Sequence, residues 1–287
     1  MKNECFGCKS TSDKIGVLIA QLGTPEAPTK KALRPYLKKF LGDPRIIEKP
    51  RWLWWIILNG IILTLRPKKS AVLYSRIWMK EGSPLKIYTE RQCQALKARL
   101  QAIHPSIEVT YGMRYSDPSI ETAIDTLIER GCNKILLFNI HCAETSEALI
   151  PKLNIPADQI IHTYQSRFGR DPWLEPYTDE TFTRLGEEGV KNIAVACPGF
   201  TSDCLETLDE MGNEGQEEFE EAGGEKIELI PCLNDHPAWI DAMTSISLEE
   251  IGSWLTTARR TASRQKKIAC PVKVFKAEKK RQASSSN

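Results

Sequence analysis

The stretch Asn192-Ile193-Ala194-Val195-Ala196-Cys197-Pro198-Gly199-Phe200-Thr201-Ser202-Asp203-Cys204-Leu205-Glu206-Thr207-Leu208-Asp209-Glu210 decides the fold class. Its first five residues form a short apolar run with β-branched side chains, the pattern of a buried strand. Pro198 and Gly199 break the run, and from Ser202 onward the pattern turns helical. Asp203, Glu206 and Glu210 then fall at i, i+3 and i+7, on one face of a helix that opens just beyond a strand end. In an open α/β sheet, ligands gather at that place. Spacing alone leaves a second reading open. Asp203-x-x-Glu206 also fits a capping box, and the acidic run from Glu206 to Glu221 fits a solvated helix face.

Working outward, strand-like and helix-like runs alternate along the chain. Strands are expected at Lys14–Gln21, Ile107–Met113, Lys134–Ile140, Gln159–Tyr164, around Ile193, and at Ile227–Pro231. Helices are expected at Lys30–Leu41, Tyr88–Ile103, Ser119–Arg130, Ala143–Leu153, Asp179–Glu188, the acidic run, and Pro237–Leu255. Gly131 and Gly189 follow two of the helices as stop residues. This order implies parallel sheets with helices on both faces, an α/β fold. No internal repeat is visible in the sequence.

The chain has 287 residues, 41% of them hydrophobic and 26% charged, which suits one large or two medium globular domains. The net charge of +2 conceals an asymmetry. Residues 257–287 hold ten Lys or Arg against one Glu, a charge of +9, so the remainder carries −7. An acidic body argues against a nucleic-acid-binding fold, and the basic tail at 256–287 reads as a disordered extension. The polar N-terminal segment 1–14 lacks the apolar core of a signal peptide, and nine scattered cysteines suit a reducing compartment, so a cytoplasmic location is expected. Cys5-x-x-Cys8 is a lone pair without a partner pair at metal-finger spacing, and an iron-sulfur cluster is not supported.

The longest apolar run, Trp52 to Leu65, is interrupted by Asn59 and Gly60 and is too short to span a bilayer. Arg51, Arg66, Lys68 and Lys69 flank it. Trp residues between basic flanks suit either a segment at a membrane surface or the wall of an apolar ligand site. A buried core helix is the competing reading.

Several segments together resemble the ferrochelatase family, whose members insert ferrous iron into protoporphyrin IX. They are Leu22-Gly23-Thr24-Pro25, Phe40-Leu41-Gly42-Asp43-Pro44-Arg45, Gly82-Ser83-Pro84-Leu85, Met113-Arg114-Tyr115, Gln165-Ser166-Arg167-Phe168-Gly169, Cys197-Pro198-Gly199-Phe200, Asp203-Cys204-Leu205-Glu206-Thr207-Leu208 and Leu233-Asn234-Asp235-His236-Pro237. They run in family order from about residue 15 to 255. The resemblance implies a chelatase-like fold of two similar parallel-sheet halves flanked by helices, with the porphyrin cleft between them. The halves would be residues 15–140, carrying an apolar lip at 52–65, and residues 141–255. The resemblance also implies that Glu206 is the active-site and metal-binding carboxylate, with Asp203 and Glu210 continuing an acidic track. Arg114 and Tyr115 match cleft residues, and Trp54 and Trp55 belong to the lip over which the macrocycle enters. No cofactor is implied, since iron is a substrate. Peripheral membrane contact at the lip is a further expectation.

These residue types suit the chemistry. A porphyrin must lose two pyrrole protons to take up a divalent metal, which calls for a base near the macrocycle face. Ferrous iron accepts imidazole and carboxylate ligands. The chain nevertheless departs from the family at one place. The family's catalytic histidine lies in a Ser-Phe-His-Gly-Ile-Pro motif after a mid-chain strand, and this motif is absent. Ile140 is followed at once by His141-Cys142-Ala143-Glu144-Thr145-Ser146, which resembles the family segment downstream of the motif, as if several tens of residues were excised. Each sheet is then expected to lack a strand.

Of the four histidines, His104 ends a helix, His162 falls in an expected strand and His236 sits in the Asn-Asp-His-Pro turn. Only His141 follows a strand end, so it is the one candidate substitute ligand. Three outcomes are expected from the sequence: weak or absent catalysis, a non-catalytic porphyrin- or metal-binding remnant, or a poorly folding chain.

Overall fold

In the computed structural model the described residues are 14–47, 49–139, 159–165 and 174–260. Strand β1 (Lys14–Gln21) lies between β2 (Ile107–Met113) and β3 (Cys132–Asn139) in a parallel sheet of order β2-β1-β3. The register sets Val17 beside both Val109 and Leu136. β1 is buried on both faces, which explains its unbroken apolar run, because helices cover both sides of a parallel sheet. On one face Ile15, Val17 and Ile19 meet Leu96 and Leu100 of α4 (Pro84–Ile103). On the other face Leu18 packs against Ala123 and Leu127 of α5 (Ile120–Glu129). α5 approaches closely because Gly112 is bare. A Cβ there would come within 2.7 Å of the Ile120 Cα.

Local chemistry sets the helix ends. Thr29 caps α1 (Lys30–Leu41) by accepting from the Ala32 amide, and Ser119 caps α5 by accepting from Thr122. α4 begins at Pro84, four residues before the expected Tyr88, because proline suits the first helical position, where its missing N–H costs nothing. The Trp-rich run forms α2 (Arg51–Ile57), a π-helical turn at Leu58–Ile62 and α3 (Leu63–Ile77). The π turn coincides with Asn59 and Gly60, and Asn59 donates to the Trp55 carbonyl.

In the second half, α6 (Thr178–Glu187) precedes β4 (Asn192–Ala196), which pairs in parallel with β5 (Lys226–Ile230). Phe182, Met211, Phe219 and Ile227 form the core of this half. The last helix, α8 (Pro237–Arg260), crosses back to the first sheet, where Ile240, Met243 and Ile251 join the cluster around Ile15 and Leu96. Two parallel sheets with flanking helices give the α/β class read from the sequence.

Three local expectations are corrected. Gln159–Tyr164 is not a strand. Only Tyr164 bridges, to Tyr177, through backbone bonds with Pro176 and Thr178, and among the described residues the β-branched pattern there joins no ladder. His162 is exposed and lies against the Tyr164 ring rather than inside a sheet. The acidic run is not α-helical from Ser202. It becomes a π-helix at Glu206–Glu214, followed by α7 (Gly215–Glu221). The expected helix at 143–153 and His141 lie outside the described residues.

Candidate active site

The candidate site forms where the C-terminal ends of β1 and β4 approach each other. Beyond β1, the backbone at Gln21 and Leu22 accepts from the amides of Arg114 and Tyr115, which locks the turn after β2 beside the turn after β1. Gly23 has φ of +110°, a conformation that favours glycine, and a Cβ there would sit 2.7 Å from the Ser116 hydroxyl. Ser116 Oγ accepts from the Thr24 amide, and the Thr24 hydroxyl donates to Ser83 Oγ at 2.7 Å. Beyond β4, Phe200 closes a turn onto Cys197 and leads to Thr201 through Glu206.

A cavity of about 40 Å³ separates these two turns, lined among others by Tyr36, Tyr74, Thr201, Cys204 and Glu206. The halves are tied beside it by Gln92, whose Nε2 donates to Ser202 Oγ at 3.0 Å and to the Asn234 carbonyl at 2.6 Å. Glu206 begins the π-helix and is half-buried. Its negative charge acts on its neighbours. Burial, reinforced by Glu206, holds the Tyr36 and Tyr74 hydroxyls well above the usual phenol range. Burial first, and then the adjoining Glu206 carboxylate, also push the Cys204 thiol far up. Around Glu206 there is thus a set of protonated donors beside a carboxylate.

Asp203 does not join Glu206 in a carboxylate row. Its buried side chain accepts from Asn234 Nδ2 at 2.6 Å and from the Cys232 amide at 3.2 Å, with the Thr207 hydroxyl also 3.2 Å away. In return its own amide donates to Asn234 Oδ1 at 2.9 Å. Nor does it form a capping box, because the π-helix starts after Leu205 without a side-chain cap. Glu210 follows on the next turn, half-buried. The i→i+5 bonding of a π-helix widens the turn, so residues four or five apart share a face and Glu206 aligns with Glu210. Between them Asp209 is buried outside the cavity lining, where Asn213 donates to it and Arg76 from α3 lies 3.7 Å away.

Arg114 and Tyr115 belong to a neighbouring network outside the cavity lining. Arg114 and the Tyr115 hydroxyl donate to the same oxygen of buried Asp43, at 2.7 and 2.9 Å, while Arg45 Nε donates to its other oxygen at 3.0 Å. Arg45 first and then Arg114 hold the Asp43 carboxyl far below the usual carboxylate range. A depressed folded-state value means that the network adds stability at neutral pH. That contribution is lost only as acidification passes below the unfolded value near 4. Asp43→Asn is expected to cost about 2 kcal/mol at pH 7. The cost should shrink progressively below about pH 4, as checked by urea denaturation at both pH values.

Trp54 and Trp55 diverge. The Trp54 indole donates to the Leu41 carbonyl at 2.7 Å and packs against the cluster of Leu33, Tyr36 and Tyr74. Trp55 is 65% exposed and Trp52 70%, on the outside of the lip. Sequence reasoning missed Tyr36, Tyr74 and Thr24 as cavity walls. The tyrosines carry only a core-like helical spacing, and that signal does not distinguish a wall from a core.

Comparison with known proteins settles the family. The ferrochelatase family model matches residues 14–141 and 138–251. The chain belongs to the ferrochelatase family. A ferrochelatase from Idiomarina loihiensis is 36% identical over 326 aligned positions, covering 85% of this chain and 90% of the relative. One from Neisseria meningitidis serogroup B is 36% identical, with 84% and 95% covered, and one from an Enterobacter species is 37% identical, with 81% and 97% covered. These figures expose a gap. Of this chain's 287 residues 85% is about 244, against 326 aligned positions, so about 80 positions of the Idiomarina ferrochelatase face no residue here. The two family matches meet at 138–141, which places the seam directly after β3.

Proposed function

We propose that this chain carries the ferrochelatase activity, insertion of ferrous iron into protoporphyrin IX, at the Glu206 cavity, and that its turnover is low. The observation that supports this most directly is the half-buried Glu206 carboxylate at the junction of two α/β halves in a chain of this family. Glu206 offers a carboxylate to a cation and a base to a pyrrole proton. Glu210 continues the face outward, while Arg114 and Tyr115, tied to Asp43 beside the cavity, brace the turn after β2 against the turn after β1 that forms one wall. The exposed Trp52, Trp55 and Ile56, with Arg51 beside them, form an apolar and basic lip suited to peripheral contact with an anionic membrane. Among the described residues no helix is long and apolar enough to cross a membrane.

Low turnover follows from the seam. General-base catalysis contributes about 100- to 10,000-fold, and the family's histidine motif is absent from the sequence. Under anaerobic conditions with ferrous iron, the bound porphyrin should convert at a rate lower by that factor than with the Idiomarina relative, followed by absorbance. A rate within tenfold of the relative would overturn the low-turnover reading. A second reading, a binder without turnover, is favoured by the absence of the histidine motif from the sequence. The cavity volume of about 40 Å³ is far below the several hundred Å³ of a ligand pocket, so the macrocycle requires the walls to part. A porphyrin spectral shift with no conversion above the protein-free rate would establish that second reading.

A further inference from the structure

We propose that Arg76 is a positioning residue that clasps the lip helix α3 to the π-helix and so holds the Glu206 cavity closed. The cavity opens when Arg76 exchanges buried Asp209 for exposed Glu217. The porphyrin as guest rests on the proposed function, whereas the clasp itself does not.

Tyr74 of α3 and Glu206 of the π-helix both line the cavity. Arg76 follows Tyr74 by two residues and Asp209 follows Glu206 by three, and there the two elements are tied together. Arg76 Nη1 lies 3.7 Å from Asp209 Oδ1 and 3.9 Å from Glu217 Oε1 of α7. The two carboxylates differ sharply in their surroundings. The Asp209 side chain is 1% exposed and that of Glu217 66%. Asn213 also donates to Asp209 Oδ1, at 2.8 Å, but a neutral amide does not balance a buried charge. Among the described residues no other ion pair reaches Asp209. Leu205 reinforces the closed arrangement by packing against the cluster that contains Tyr36 and Tyr74.

A cavity of about 40 Å³ admits no macrocycle unless α3 and the π-helix separate. Separation pulls Arg76 off Asp209 and leaves a buried carboxylate without its cation, which is costly. The empty cavity therefore stays closed. Glu217 limits that cost, because it stands in solvent beside the guanidinium and can keep it paired while the walls part. An exposed pair is weaker than one with a buried carboxylate, so the two acceptors are unequal. Arg76 thus has a strong closed position on Asp209 and a weaker open one on Glu217. A guest that binds only the open form has its affinity reduced by the fraction open. Removing the closed contact should therefore tighten binding, and removing the open contact should weaken it.

The test compares the full chain with its D209N and E217Q variants, by stopped-flow fluorescence of protoporphyrin IX and by hydrogen exchange without porphyrin. D209N should raise the porphyrin association rate at least about threefold and leave the dissociation rate unchanged, while E217Q should lower the association rate. In the absence of porphyrin, D209N should speed amide exchange in 71–77 and 206–214 without changing β1, and E217Q should slow it there. In an R76M background neither change should have a further effect, since both act through the guanidinium. If R76M does not fold, the two single variants decide. Exchange shifts of the same sign in D209N and E217Q, or no shift in either, would overturn the clasp, because a merely structural pair gives no opposed signs. The proposed function is judged separately. A parent chain that binds no porphyrin refutes that reading, while the opposed exchange shifts still establish the clasp.

Discussion

Inserting the missing segment of a full-length ferrochelatase at the 138–141 seam is expected to raise porphyrin metalation by about 100- to 10,000-fold. The argument starts from what the seam leaves intact. The two family matches cover the chain on both sides of it, so the wall from β1 with Tyr36 and the wall from β4 with Glu206 are both present. By resemblance, the lost part includes the strand-end histidine that accepts pyrrole protons. A general base of that kind is worth the stated factor, and the segment from the Idiomarina relative would supply it together with a strand for the first sheet. The same insert with its histidine changed to alanine should restore folding benefits but not the rate. If the intact insert leaves the rate unchanged while the protein folds, the deficit does not lie in the missing base.

Asp203→Ala is expected to destabilise the chain by about 2–3 kcal/mol, the range for removing a charged acceptor and leaving buried neutral donors unpaired. The carboxylate holds Asn234 Nδ2 and the Cys232 amide, and the loss leaves both donors buried without an acceptor. Asn234 sits at φ of +45°, and its amide donates to the Thr201 carbonyl at 2.8 Å, so the pair joins the start of α8 to the turn after β4. The Gln92 bridge from the first half ends on the same Asn234 carbonyl. The effect should therefore spread to the contact between the halves. Urea denaturation of Asp203→Ala, Asn234→Ala and the double variant should show strongly non-additive costs, since both changes remove one interaction. Additive costs would show that Asp203 acts through some other contact.

Asp203 also shows where the sequence was legible and where it was not. The motif that contains it located the turn after β4 correctly, because an apolar run followed by Pro-Gly marks a strand end whatever the tertiary context. Its role could not be read, because the i, i+3, i+7 spacing assumes an α-helix and the chain forms a π-helix from Glu206. The π-helix gives no signal in an apolar period fitted to 3.6 residues. Gly212 fits the widened turn, with its Cβ position 3.7 Å from the Thr207 carbonyl, but a lone glycine in an acidic run does not announce that. β1, β2, β4, β5 and α1 were legible because each carries its own signal in an apolar or β-branched run or a Thr cap, although β4, expected to be buried, has only exposed and half-buried residues because one neighbour alone pairs with it among the described residues. Gln159–Tyr164 carried the same β-branched signal and failed, since a strand also needs a neighbour.

The candidate site followed the same division. Glu206 emerged from ordered motifs that span most of the chain. Tyr36 and Tyr74 stayed hidden, because a tyrosine on an apolar helix face looks like core until the opposite wall is known. Trp54 and Trp55 were adjacent in sequence and were grouped together, yet a helix turns neighbours by about 100°. One therefore reaches the Leu41 carbonyl while the other faces outward.

Single-turnover metalation of protoporphyrin by the chain and by its Glu206→Gln variant tests most directly whether the Glu206 cavity is a working site. The glutamine keeps the volume and removes the charge that attracts a cation and accepts a proton. The expected result is a slow rate for the parent chain, above the protein-free rate, and a fall of at least about tenfold in the variant. Equal rates for the two proteins, with both folded and both binding porphyrin, would contradict it.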